Sequence, residues 1–138
     1  MSSLLTYVLE LDQANQQIQN LSAPIVPITK GLAILPIIGD ITGTRAQTII
    51  HIALSYSQEM SLTHLVIDLS GILKIDNTIS GYLLSMVNML RLVGVEPILT
   101  GFRPDMAIKA HEINIDLGDV KIYSNVREAL SRIGLAST

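Results

Sequence analysis

An α/β layer fold, with a mixed sheet of about five strands and about four helices behind a short N-terminal helix, follows from two features of the chain. The first is Leu65 to Met89, LVIDLSGILKIDNTISGYLLSMVNM. Its apolar run Leu65 to Leu69 suits a buried central strand, and Ser70-Gly71 is turn chemistry. Ile79, Leu83, Met86, Val87 and Leu90 then recur at helical spacing. The second feature is the order of elements, an opening hairpin followed by three strand-then-helix units, which makes the later strands parallel. A chain of 138 residues, 49% of them apolar, is the right size for one packed core.

In chain order, Leu4, Val8, Leu11, Asn15, Ile18 and Ser22 alternate in steps of four and three among Glu and Gln residues. This predicts a short heptad-like helix over residues 1–22, ahead of a domain over residues 23–138. The helix seam, Leu4, Val8, Leu11 and Ile18, either packs on its own domain or pairs with a second subunit as a dimer linker. A helix this short is marginal alone and calls for a partner. Pro24 and Pro27 bracket an extended piece, and Lys30-Gly31 is a turn. Leu32 to Ile38 is the next strand, placed at an edge or a bulge by Pro36. Thr42-Gly43-Thr44 opens a helix running to about Met60. A strand over Thr63 to Leu69 precedes a helix over Asp76 to Val93, with Asp76 as its N-cap and Gly94 just past its end. Glu96 to Thr100 is a strand, and Asp105 to about Ile113 is a helix entered through Pro104. Val120 to Tyr123 and a helix from Val126 to Ile133, capped by Ser124 or Asn125, close the domain.

Composition narrows the function. A formal charge of −3, with nine Lys and Arg spread along the chain, speaks against nucleic acid and anionic membranes as partners. There is no cysteine, which excludes disulfide and thiol chemistry and suits a cytoplasmic protein. Apolar stretches such as Leu32 to Ile38 fall far short of the roughly 18 residues a membrane span needs, and no signal-peptide pattern opens the chain. His51, His64 and His111 have no neighbour at metal-ligand spacing, so no metal is expected. The glycines form no nucleotide fingerprint, and Ser70 lacks the G-x-S-x-G setting of a nucleophile. Neither an enzyme nor a cofactor is therefore expected. Asp68 and Asp76 are more simply a strand-end residue and a cap than an acid–base pair.

The sequences IDLSG (Ile67 to Gly71), IDN (Ile75 to Asn77) at a helix start, and VGVEPILTGFRP (Val93 to Pro104) resemble the STAS domain of bacterial anti-sigma-factor antagonists. The last block looks most like the RsbR-type scaffold proteins of the stressosome, and the resemblance extends without gaps from Pro24 to about Leu130. It implies a STAS-type fold and a non-enzymatic signalling scaffold. The implied partners are an RsbT-like serine/threonine switch kinase and an RsbS-like STAS protein, in a homodimer or larger stressosome assembly. It also implies a partner-facing surface at Asp76, Asn77 and Thr78. Phe102 and Arg103, on the turn after a parallel strand, read either as an aromatic and arginine interface pair or equally as a packed turn.

One departure from the family pattern bears on regulation. The usual phosphoacceptor, directly after the Asp, falls on Asn77, and Lys109 stands near the second, with no hydroxyl from Asp105 to Ile113. Thr78 and Ser80, with Ser70 beside them, are the remaining phosphorylation candidates. Two alternatives stay open: a STAS module binding a small anion or nucleotide at the Asp76 helix start, and a direct antagonist of an anti-sigma factor.

Overall fold

The structure, a computed structural model, describes residues 24–114 and 116–134. The helix expected over residues 1–22, with its seam Leu4, Val8, Leu11 and Ile18, lies outside the described residues. Within them the chain forms β1 (Val26–Thr29), β2 (Leu32–Gly39), α1 (Gly43–Glu59), β3 (His64–Ile72), α2 (Asn77–Leu92), β4 (Glu96–Thr100), α3 (Pro104–Glu112), β5 (Lys121–Tyr123) and α4 (Val126–Ile133). The strands lie in sequence order in one sheet. β1 is antiparallel to β2, and the other neighbours are parallel.

Alternation along the strands sorts the core into two layers. Leu35, Leu65, Ile67, Leu69 and Leu99 share one cluster with Ile49, Ala53, Leu83, Val87 and Leu90 of α1 and α2, and with Met106 of α3. The intervening residues Leu32, Val66 and Ile98 meet Ala129 of α4, flanked by Val126, Leu130 and Ile133. At eight residues α4 is too short to be stable in isolation, so packing on the sheet holds it. Asn125 caps it by accepting from Glu128 N–H at 2.8 Å.

β3 is longer than the sequence expectation, and β2 carries an irregularity beside it. β3 runs on to Ile72, because a bulge lets it continue: Pro36 is opposite Asp68 but Ile38 is opposite Gly71, so β3 fits in one residue more than β2. The extra residue puts both Leu69 and Ile72 into the helical layer. Of the two settings that Pro36 allows, an edge or a bulge, β2 has the bulge, between Pro36 and Ile38, and lies between β1 and β3. Pro36 is tolerated because β1 pairing reaches only from Thr29 to Val26, opposite Ile34, and so stops short of it.

On the buried side of α1, the Ser57 hydroxyl has no hydrogen-bond partner at 1% exposure. A buried unpaired hydroxyl is destabilising, and alanine is the better helix former. Ser57→Ala is expected to raise stability by about 1 kcal/mol, read as a higher melting temperature. An unchanged or lower midpoint would mean that the hydroxyl is satisfied in solution.

Candidate functional site

The carboxyl ends of parallel strands are where α/β sheets place their binding loops. Here the pairing of β3 with β4 ends at Asp68, directly opposite Thr100, with Ser70 two residues further along β3. The Asp68 carboxylate accepts from Ser70 Oγ at 2.6 Å with one oxygen and from the buried Thr100 Oγ1 at 2.8 Å with the other. The buried Thr100 hydroxyl of β4 is thereby paired with a carboxylate of β3.

Gly101 follows at φ +79, with its N–H donating to Ser124 O at 3.1 Å. A Cβ at this position would lie 2.5 Å from Ser70 N and 2.8 Å from Asp68 Oδ1. Only glycine fits both the conformation and the space. Arg103 completes the arrangement. Its Nη1 donates to Ser70 O at 2.9 Å, Nη2 to Leu73 O at 3.3 Å, and Nε to Asp105 at 3.2 Å. The G-x-R-P block is thus a clamp across the loop from β3 to α2.

That loop ends on Asp76, which caps α2 as expected from the sequence. Its carboxylate accepts from Ile79 N–H at 2.9 Å, and its carbonyl accepts from Ser80 N–H and Ser80 Oγ. Asn77 and Thr78 stand exposed on the first turn. Ser80, in contrast, is 8% exposed, with its hydroxyl bonded at 2.6 Å to the Asp76 carbonyl. The two hydroxyls of this turn therefore differ sharply in accessibility.

The residues singled out in the sequence divide accordingly. Asp76, Asn77 and Thr78 come together at the start of α2. Phe102 is not an exposed aromatic: it is half-buried and packs against the helical core layer, because the turn at Gly101 directs it inward. Arg103 is likewise occupied by three hydrogen bonds and is only about a third exposed. Sequence reasoning left out the Asp68–Thr100 pair and the role of Gly101. The available signal was polar residues at matching positions near the ends of two apolar strands. Between α1 and α2 lies an apolar cleft of ≈ 280 Å³, open mouth included, lined by residues including Ile37, Ile41, Ile79, Leu83 and Tyr82. Its lining offers carbon and a single phenol rather than anion ligands. Among the described residues no cluster of His, Cys, Asp or Glu is arranged to hold a metal, and no helix is long and apolar enough to cross a membrane.

Residues 23–129 match the STAS domain family. The chain belongs to that family. It is 32% identical over 127 residues to the RsbT co-antagonist protein RsbRD of Bacillus subtilis (strain 168), covering 92% of this chain and 46% of that protein. The chain thus spans about half the length of the curated relatives it matches. Among solved structures, RsbS of Moorella thermoacetica superposes with a TM-score of 0.70 at 22% identity, covering 84% of this chain and 98% of the other. A chain from the molecular architecture of the stressosome gives a TM-score of 0.65 at 21% identity, covering 83% and 98%. Both structural matches establish the STAS fold.

The tightness of the clamp is measurable by comparing two glycines of similar φ. Gly94, at φ +86, has nothing within 4 Å of a built Cβ, so Gly94→Ala is expected to cost about 1 kcal/mol from backbone strain alone. Gly101→Ala adds collision with Ser70 and is expected to cost about 2–5 kcal/mol. Equal losses in denaturant titrations would mean that the close approach at Gly101 is relaxed in solution.

Proposed function

We propose that this STAS protein is a non-enzymatic scaffold of a stress-response partner-switching pathway, binding an RsbT-like switch kinase and an RsbS-like STAS partner through the start of α2. Support comes from its 32% identity, over 92% of the chain, to an RsbT co-antagonist. The observation that supports this reading is the first turn of α2, where Asn77 and Thr78 stand exposed beside the Asp76 cap, whose carboxylate takes the Ile79 N–H. No side chain there is arranged for catalysis. Asp76 is spent on capping, and the Asp68 carboxylate is held by Ser70 and Thr100. The surface is suited to recognition, and assembly into a homodimer or larger stressosome particle belongs to the same reading.

Control in this reading is a change of charge. A phosphate adds about −2 at the helix start and acts on a bound partner through repulsion and desolvation. Asn77, in the usual acceptor place, keeps the surface neutral. Of the remaining hydroxyls on this turn, Thr78 is the accessible one, so it is the proposed acceptor for any kinase acting here; Ser80 would first have to leave its bond to Asp76 O.

Two measurements test this. Asn77→Asp and Asn77→Glu are expected to weaken binding of an RsbT-like kinase about tenfold in a titration, the scale of one lost charge-sensitive contact. Unchanged affinity would remove the α2 start from the interface. After incubation with that kinase and ATP, site mapping by mass spectrometry is expected to place any phosphate on Thr78, and a phosphate on Ser80 would contradict the accessibility argument.

A further inference from the structure

We infer that Arg103 is a positioning residue for the partner-facing start of α2, and that through it the first turns of α2 and α3 form one mechanical unit. The partner-facing role of α2 rests on the function proposed above; the positioning role is a property of the folded chain itself.

Between the end of β3 at Ile72 and the Asp76 cap, Leu73 and Lys74 are exposed, and only Ile75 is buried. Apolar packing alone therefore grips this loop weakly. The carbonyl of Leu73 in the loop and that of Ser70 near the end of β3 are instead both bound by a single guanidinium, from a residue 33 positions beyond Ser70. The guanidinium is itself fixed from three directions. Arg103 precedes Pro104, which restricts its backbone to the extended region it occupies, φ −83 and ψ 159. Gly101 is seated against Ser70 and tied to Ser124. Asp105, on the first turn of α3, takes the Nε proton. The fork is held in place before any partner arrives, and a planar fork reaches two carbonyls at once where an ammonium reaches one.

The consequence runs from α3 to α2. When the fork lets go, the carbonyls of Ser70 and Leu73 lose their donors, and the Leu73 to Ile75 segment loses the tie that sets where Asp76 stands. The Asp76 carboxylate then no longer meets Ile79 N–H squarely, and the exposed pair Asn77 and Thr78 moves with it. Arg103 acts on a partner through α2, not by touching it.

Hydrogen exchange on the 138-residue chain, with the Arg103→Lys and Arg103→Ala variants, tests this, and the lysine variant keeps the charge should the alanine variant fold poorly. The amides of Ile79 and Ser80, bonded to Asp76, are expected to exchange about tenfold or more faster in Arg103→Lys, as losing a charge-assisted bond implies. The amides of Leu90 and Leu99, remote in the core, are expected to keep their protection. Unaltered exchange at Ile79 and Ser80, or acceleration spread evenly to Leu90 and Leu99, overturns the inference.

A binding cycle with an RsbT-like kinase adds a readout that fold stability does not move. If Arg103 works through the α2 start, the effects of Arg103→Lys and Asn77→Asp are non-additive. Additive effects would make Arg103 an independent contact and overturn its positioning role. Absence of kinase binding by the unmodified chain would defeat the functional reading, while the exchange experiment would still decide the role of Arg103.

Discussion

The Asp68 carboxylate joins β3 to β4 at the end of the sheet where the chain leaves for α2 and α3. One oxygen holds Ser70, and the other holds the hydroxyl of the fully buried Thr100. A carboxylate that is partly withdrawn from water needs such partners, and removing either hydroxyl leaves an acceptor short of a donor. With these bonds made, Ser70 sits where Gly101 packs against it and where its carbonyl faces Arg103. The loop to Asp76, and hence the start of α2, inherits its position from this arrangement.

The two core layers explain why the arrangement lies at this end. The α1 and α2 layer is large and covers one face along the length of β2 and β3, including Leu69 and Ile72 on either side of the bulge. The α4 layer is small, resting on Leu32, Val66 and Ile98, and leaves Ile38 60% exposed. Beyond the reach of α4, the sheet face turns polar, with Asp68 and Ser70 taking over from Val66 along β3. Hydrogen bonds there do the fixing that apolar contact does elsewhere.

Much of this was legible in the sequence. The strand and helix order, the cap at Asp76, the turn at Lys30-Gly31 and the entry of α3 through Pro104 each follow from local chemistry, and each is present. What was not legible depends on contacts between distant segments. The bulge at Leu69 and Ser70 is set by pairing with β2, and Pro36 leaves an edge and a bulge equally open because sequence does not show where β1 stops. Phe102 and Arg103 have the composition of an interface pair, yet the positive φ at Gly101 directs one inward and the other onto two backbone carbonyls. Likewise, Thr78 and Ser80 look equivalent as hydroxyls, and only the helical turn shows that one faces solvent and the other faces Asp76.

The most direct test of the partner-facing surface is a backbone NMR titration of the isotope-labelled chain with an RsbT-like kinase. Shift changes gathered at Asp76, Asn77 and Thr78, extending to Ser70 and Leu73 through the clamp, are the expected result. Changes gathered instead around Lys121, Arg127 and Arg132, on β5 and α4, would contradict the assignment of the α2 start as the partner-facing surface.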